Sequence, residues 1–163
     1  SWEADQDLNS AMQNSVNWYF QAIDSQLGIN RVQEFLNKIE YGNQTTSSNL
    51  DLYWSDFSLK ISPLEQVTLL KKFNTNEFHL NFQNVFSVKN AIKIASTPNG
   101  NFYGKTGTGR VNGQDINGWF IGYVETSDNS YYFATNIQSD SNATGKKAFE
   151  ITSDILKKLH IWN

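Results

Sequence analysis

Cysteine is absent from the 163 residues, so this chain can build no disulfide, no thiolate zinc site and no cysteine nucleophile. Long apolar runs are absent too. None approaches the ~20 residues of a membrane-spanning helix, and no stretch reads as a signal peptide. Lys and Arg are scattered, and a net charge of −3 leaves no basic stripe of the kind nucleic-acid binding requires. His79 and His160 are far apart in sequence and lack metal-ligating neighbours. They read as a loop surface residue and as a charge complement at a helix C-terminus. The carboxylates show no catalytic pairing, and neither a metal nor a cofactor is expected. The chain opens at Ser1-Trp2-Glu3 rather than at Met, from which we expect further sequence upstream.

What is present suits one domain with a real core: 39% hydrophobic residues, including five Trp, seven Tyr and eleven Phe. Leu8, Met12, Val16, Tyr19 (or Phe20), Ile23 and Leu27 recur every three to four residues, which predicts one helix ending near Gly28. Val32, Phe35, Leu36 and Ile39 predict a second, capped by Asn30. Residues 41–56 read as an ordered loop carrying Tyr53 and Trp54. Ser62-Pro63-Leu64-Glu65 is a capping box with Pro at the first helical position, opening a helix to about Phe73. Val85, Val88 and Ile92 predict another over Phe82–Ile94.

The pattern then changes. Asn99-Gly100 and Asn112-Gly113 are hairpin-turn signals that bracket a strand over Phe102–Val111. Trp119–Thr126 and Tyr131–Gln138 are strand-like, joined by a turn at Ser127-Asp128-Asn129. A last helix places Ala148, Ile151, Ile155, Leu156 and Leu159 on its buried side. Helices, an antiparallel meander and a closing helix make an α+β arrangement, with a helical part over 1–95 and a sheet part over 96–163.

Chemistry concentrates in Gly104-Lys105-Thr106-Gly107-Thr108-Gly109 on a strand. The ammonium offers a fixed charge, the hydroxyls can bind a carboxylate, and the small residues let a ligand pair along the backbone. A tight sheet corner with a surface Lys explains the same residues without a ligand. The spacing is not that of a phosphate loop. Ser15 and Asn17 are poor interior residues for the helix predicted there and suggest a polar cluster beneath a cleft, although Ser back-bonding with Asn in solvent also accounts for them. Tyr41-Gly42-Asn43 reads equally as a helix stop, and Trp54 as a packing anchor.

The order of these signals is more specific than any one of them. Ser15-Val16-Asn17-Trp18-Tyr19, Tyr41-Gly42-Asn43, Tyr53-Trp54, Ser58 to Gln66, Lys105-Thr106-Gly107-Thr108 and Gly118 to Val124 follow one another along essentially the whole chain. The series resembles the penicillin-recognising serine fold in its class D form. Met12 to Phe20, Lys105 to Gly113 and Asn117 to Thr126 resemble especially the sensor domains of BlaR/MecR-type signal transducers. The class D β-lactamases are the alternative.

The resemblance implies an antiparallel sheet flanked by helices and incomplete at its N-terminus. The family's nucleophile lies in a Ser-x-x-Lys motif, and no Ser here has Lys three positions on. A covalent β-lactam partner would therefore need a serine supplied by an N-terminal segment of the same domain. Without that segment an open apolar trough is expected. By the same resemblance Ser15 relays a proton toward the lactam nitrogen, assisted by Lys105. Thr106 and Thr108, flanking Gly107, hold the drug's carboxylate, and the Thr108 N–H forms half of an oxyanion hole. Trp54 and Asn17 set the surroundings of the absent lysine, Tyr41 with its neighbours shapes the wall, and Arg110 is a second carboxylate contact. In class D hydrolases the position of Asn17 is typically apolar beside a carbamylated lysine. An amide there would favour loss of the carbamate and so a long-lived acyl-enzyme. The implied location is the extracellular face of the cell membrane, through a membrane-anchored parent protein, with a secreted enzyme as the alternative.

Overall fold

The computed structural model describes residues 2–46, 50, 53–55 and 57–162, so part of the loop predicted over 41–56 lies outside the described residues. The order is α1 (Leu8–Asn14), α2 (Asn17–Leu27), α3 (Ile29–Lys38), α4 (Pro63–Asn74), α5 (Phe82–Ala91), β1 (Lys93–Thr97), β2 (Gly100–Val111), β3 (Gln114–Thr126), β4 (Ser130–Gln138) and α6 (Gly145–Lys158). The chain divides into two compact units. One holds Ser1–Glu65 with Lys72–Ile92, and the other holds Gln66–Lys71 with Lys93–Asn163.

In the helical unit the single helix expected over residues 8–27 is two. Ser15 adopts the left-handed conformation (φ 52°, ψ 49°) and ends α1. Its N–H bonds the Met12 carbonyl at 3.3 Å and the Val16 N–H bonds the Ala11 carbonyl at 2.9 Å. This is the paired closure of a Schellman motif, with apolar residues at the two positions that usually touch. Ala11 and Val16 are both fully buried. Ser15 is therefore not in a helix interior, and Asn17 opens α2. Helix α3 starts one residue before Asn30, after Gly28, so Asn30 lies in the first turn and is not the cap. The capping box forms as read, with the Ser62 N–H donating to Glu65 at 2.8 Å and the Glu65 N–H donating to Ser62 Oγ at 3.2 Å. Val32, Leu36 and Tyr53 form a buried cluster under Tyr41, Leu50, Trp54 and Leu59.

In the sheet unit β1-β2-β3-β4 pair antiparallel in chain order. Asn112 and Gly113 both have positive φ (49° and 78°), as a two-residue hairpin turn of the right twist demands. The helix expected to reach Ile94 stops at Ala91, and the residues that follow form β1. That strand pairs only with the start of β2, from Lys93↔Tyr103 to Thr97↔Gly100. Beyond Tyr103 the outer edge of β2 has no strand partner among the described residues. Helix α6 covers one face, where Phe102, Phe120, Val124, Ala148 and Leu156 make the core.

The face of α6 differs from expectation. Ala148, Thr152 and Leu156 are buried, whereas Ile155 and Leu159 are 48% and 60% exposed. These two side chains border a groove of about 570 Å³ along β4, together with Val67, Tyr131, Phe133 and Ile161. Strand β4 ends the sheet, and its outer edge is unpaired among the described residues.

Candidate functional site

Strand alternation sorts the Lys-Thr-Gly-Thr stretch onto two faces. Phe102 packs in the α6 core, which places Thr106 and Thr108 on that same side. Two contacts agree. The Gly145 N–H, at the start of α6, donates to Thr108 Oγ1 at 2.9 Å. A Cβ added at Gly145 would lie 2.6 Å from the Gly107 carbonyl oxygen and 2.9 Å from Thr106 Cβ. The N-terminus of α6 thus sits directly on the two threonines, and its partial positive charge favours an anion there. Thr108 Oγ1 accepts from Gly145, which leaves its own O–H able to donate to a ligand.

Lys105 stands on the opposite face. Its ammonium donates to the Thr106 carbonyl at 2.8 Å, and burial lowers its pKa below the ordinary lysine value. The charge is consequently lost at a lower pH than that of a free lysine. The same face carries Tyr103 stacked on Tyr123 at 4.7 Å, with Tyr132 5.6 Å from Tyr123. Burial and the Glu125 carboxylate push the Tyr103 phenol up to about 12. A ligand reached by both the ammonium and the threonine hydroxyls must therefore lie along the strand's outer edge, the edge that β1 leaves unpaired. Gly107 suits that approach: a Cβ there would meet only Trp119 Cβ, at 3.7 Å, so packing does not demand glycine. Arg110 sits at the end of the strand with its Nε donating to Asp115 at 2.7 Å, so that nitrogen is committed to a partner within the hairpin.

In the helical unit Ser15 and Asn17 flank Val16 at the α1–α2 elbow, Ser15 half-buried and Asn17 exposed. Tyr41 follows a second left-handed stop at Glu40 (φ 54°), its N–H on the Leu36 carbonyl at 3.0 Å. Burial raises its phenol pKa. Gly42 is required, since φ is 51° and a Cβ would overlap the Lys60 carbonyl. Asn43 then pins this wall to the next loop. Its N–H donates to the Lys60 carbonyl at 2.9 Å, its amide to the Ser58 carbonyl at 2.8 Å, and it accepts from the Lys60 N–H at 2.9 Å. Trp54 packs on the Val32–Leu36–Tyr53 cluster beside Tyr41.

The residues read from sequence thus fall into two sets, Lys105 to Arg110 on β2 and Ser15, Asn17, Tyr41 and Trp54 among the helices. Sequence reading missed Gly118 and Gly145, which seat α6 on the strand, and Asp115, which holds Arg110. Only the Asn117-Gly118 and Thr144-Gly145 pairs hinted at close approach. It also missed Asp24, which accepts a 3.2 Å hydrogen bond from the Tyr53 hydroxyl.

Residues 1–157 match the model of the penicillin binding protein transpeptidase domain. The chain belongs to this family. The methicillin resistance MecR1 protein of Staphylococcus aureus is 44% identical over 160 residues, covering 98% of this chain and 27% of that protein. Regulatory protein BlaR1 of Bacillus licheniformis is 48% identical over 161 residues, covering 99% and 27%. The chain thus spans about a quarter of the length of these relatives. Among solved structures, the C-terminal domain of the Bacillus licheniformis BlaR penicillin-receptor superposes with a TM-score of 0.94 at 47% identity, over 99% of this chain and 65% of that one. The architecture is accordingly that of the penicillin-recognising serine fold.

Proposed function

We propose that this chain is the C-terminal part of a β-lactam sensor domain, one that is acylated by a penicillin and holds the adduct as a signal. The observation that carries the reading is the Lys105-Thr106-Gly107-Thr108 stretch, seated on the N-terminus of α6 on a strand whose outer edge has no strand partner there among the described residues. The names of the relatives, a BlaR penicillin-receptor, regulatory protein BlaR1 and the methicillin resistance MecR1 protein, point the same way. In this reading the nucleophilic serine and its lysine come from an N-terminal segment of the same domain. The β4 groove and the unpaired β4 edge support a place for such a segment.

The serine oxygen bonds to the lactam carbonyl carbon while the lysine takes its proton. The oxyanion is stabilised by the Thr108 N–H and by the serine's own N–H. Collapse breaks the lactam C–N bond, and in this reading the nitrogen receives its proton through the Ser15 hydroxyl. Thr106 and Thr108 bind the drug's carboxylate, with Arg110 as a further contact. Tyr41 and Trp54 are proposed as wall residues, and the helical and sheet parts, which meet at Lys93 where β1 begins and not at residue 96, are proposed as parts of one domain. No helix among the described residues is long and apolar enough to cross a membrane. In this reading the parent protein tethers the domain at the extracellular face.

Incubating the complete domain with a chromogenic penicillin, followed by mass spectrometry over time, tests this. A persistent one-to-one adduct is expected. Steady turnover would replace the sensor by a class D hydrolase, and the absence of any adduct would sink both. Asn17, exposed at the start of α2, is proposed to keep the lysine uncarbamylated. Asn17→Val should raise lysine carbamylation, read by ¹³C NMR with labelled bicarbonate, and shorten the adduct's lifetime. If neither changes, Asn17 does not set that lifetime.

A further inference from the structure

Trp2 and Trp18 are both large and both substantially exposed, at 46% and 43%, so burying their rings does not account for them. Their N–H groups do. The Trp2 indole donates to the carbonyl of Asn14, the last residue of α1, at 3.1 Å. The Trp18 indole, in the first turn of α2, donates to the Trp2 carbonyl at 2.8 Å. Together the two bonds form a closed path from the end of α1, through the N-terminal strap, to the start of α2. The chain enclosed by that path is Ser15-Val16-Asn17, of which Ser15 and Val16 lie between the two helices. Residues 2–7 lead from Trp2 into α1, which Asp7 caps by accepting from the Ser10 N–H at 2.7 Å.

We propose that Trp2 and Trp18 are positioning residues that clasp the α1–α2 elbow and so hold the Ser15 hydroxyl where it relays its proton. This rests on the assignment of Ser15 as the relay. A two-residue joint between helices has four soft dihedrals, and a small rotation in any of them carries the Ser15 hydroxyl away from the reacting nitrogen. The Schellman bonds govern how α1 ends. They do not govern the direction in which α2 leaves, and the clasp does.

Pre-steady-state acylation of the complete domain by a chromogenic penicillin, resolved into the saturating rate k2 and the binding constant Ks, tests the clasp. Trp18→Phe and Trp2→Phe each keep a ring and remove the donor. Each is expected to lower k2 by roughly ten- to hundred-fold, as a displacement of about 1 Å does. Ks and the melting temperature should stay close to wild type. The double variant should match either single one, because both break the same path. Wild-type k2 in both single variants, alongside a slow Ser15→Ala control, overturns the clasp and leaves the relay standing. A wild-type rate for Ser15→Ala overturns the relay and the clasp with it. If k2, Ks and melting temperature all fall together, the tryptophans are merely structural and the inference is overturned.

Discussion

Two variants of Ser15 that both lack the hydroxyl, Ser15→Gly and Ser15→Ala, are expected to acylate equally slowly and to differ in stability. The rate loss is that of removing the proton relay proposed for Ser15 and should be on the order of 10²–10⁴-fold. The stability difference has a separate origin. Ser15 holds φ 52° and ψ 49°, a conformation that costs a residue with a Cβ about 1 kcal/mol and costs glycine almost nothing. Ser15→Gly should therefore exceed Ser15→Ala by about 1 kcal/mol in chemical denaturation of the complete domain. Equal stabilities would show that the elbow relaxes in the absence of the hydroxyl. An unchanged acylation rate in both variants would remove Ser15 from the mechanism.

The second large effect concerns the seat of α6. A Cβ at Gly118 would overlap the Thr144 carbonyl, 2.6 Å from its carbon and 2.9 Å from the Ala143 oxygen. All three obstructing atoms are backbone, so no side-chain rotation relieves the clash and the start of α6 must lift from β3. Gly118→Ala is expected to cost about 2–4 kcal/mol, the range of overpacking with backbone displacement. For a chain of this size that is a drop of roughly 5–15 °C in melting temperature. The same lift stretches the Gly145 N–H bond to Thr108, so carboxylate-dependent binding should weaken and Ks should rise. Gly107→Ala is the contrasting control, since its Cβ meets only an ordinary contact with Trp119. It should fold like wild type and lose acylation through the ligand's approach alone. A Gly118→Ala protein that melts at the wild-type temperature would show that α6 is not seated as described.

Much of this was legible in the residues. The Ser62–Glu65 box, the Asn112-Gly113 turn and the meander each state their structure locally, because cap, turn and alternation are short-range physics. The α1–α2 break was hidden for an identifiable reason. A Schellman stop brings the residue after the left-handed one onto the helix's own apolar face, so Val16 keeps the spacing of a helix that has already ended. The start of β1, Lys93 and Ile94, was read as helix and the strand went unrecognised, because only Ala95 in it is even half-buried and five residues carry little alternation. Ile155 and Leu159 were assigned to the core because periodicity reports apolarity and not what covers it. In the site, the order of motifs disclosed the family, whereas the support beneath it was silent. Gly145 meets Thr108 across 37 positions, a distance at which no local pattern operates.

The sheet also has a kinetic meaning. Each of its three pairings joins strands adjacent in the chain, and the central one closes over the two residues Asn112 and Gly113. Closing such a loop loses little chain entropy, and hairpins of this kind form in roughly 1–10 μs. The meander can therefore zip outward from its tip before any distant contact exists. Helix α6 needs only the strands just made to dock against. If the N-terminal segment proposed above pairs with β4, that pairing joins strands far apart in sequence, and topology makes it the slow step of assembly.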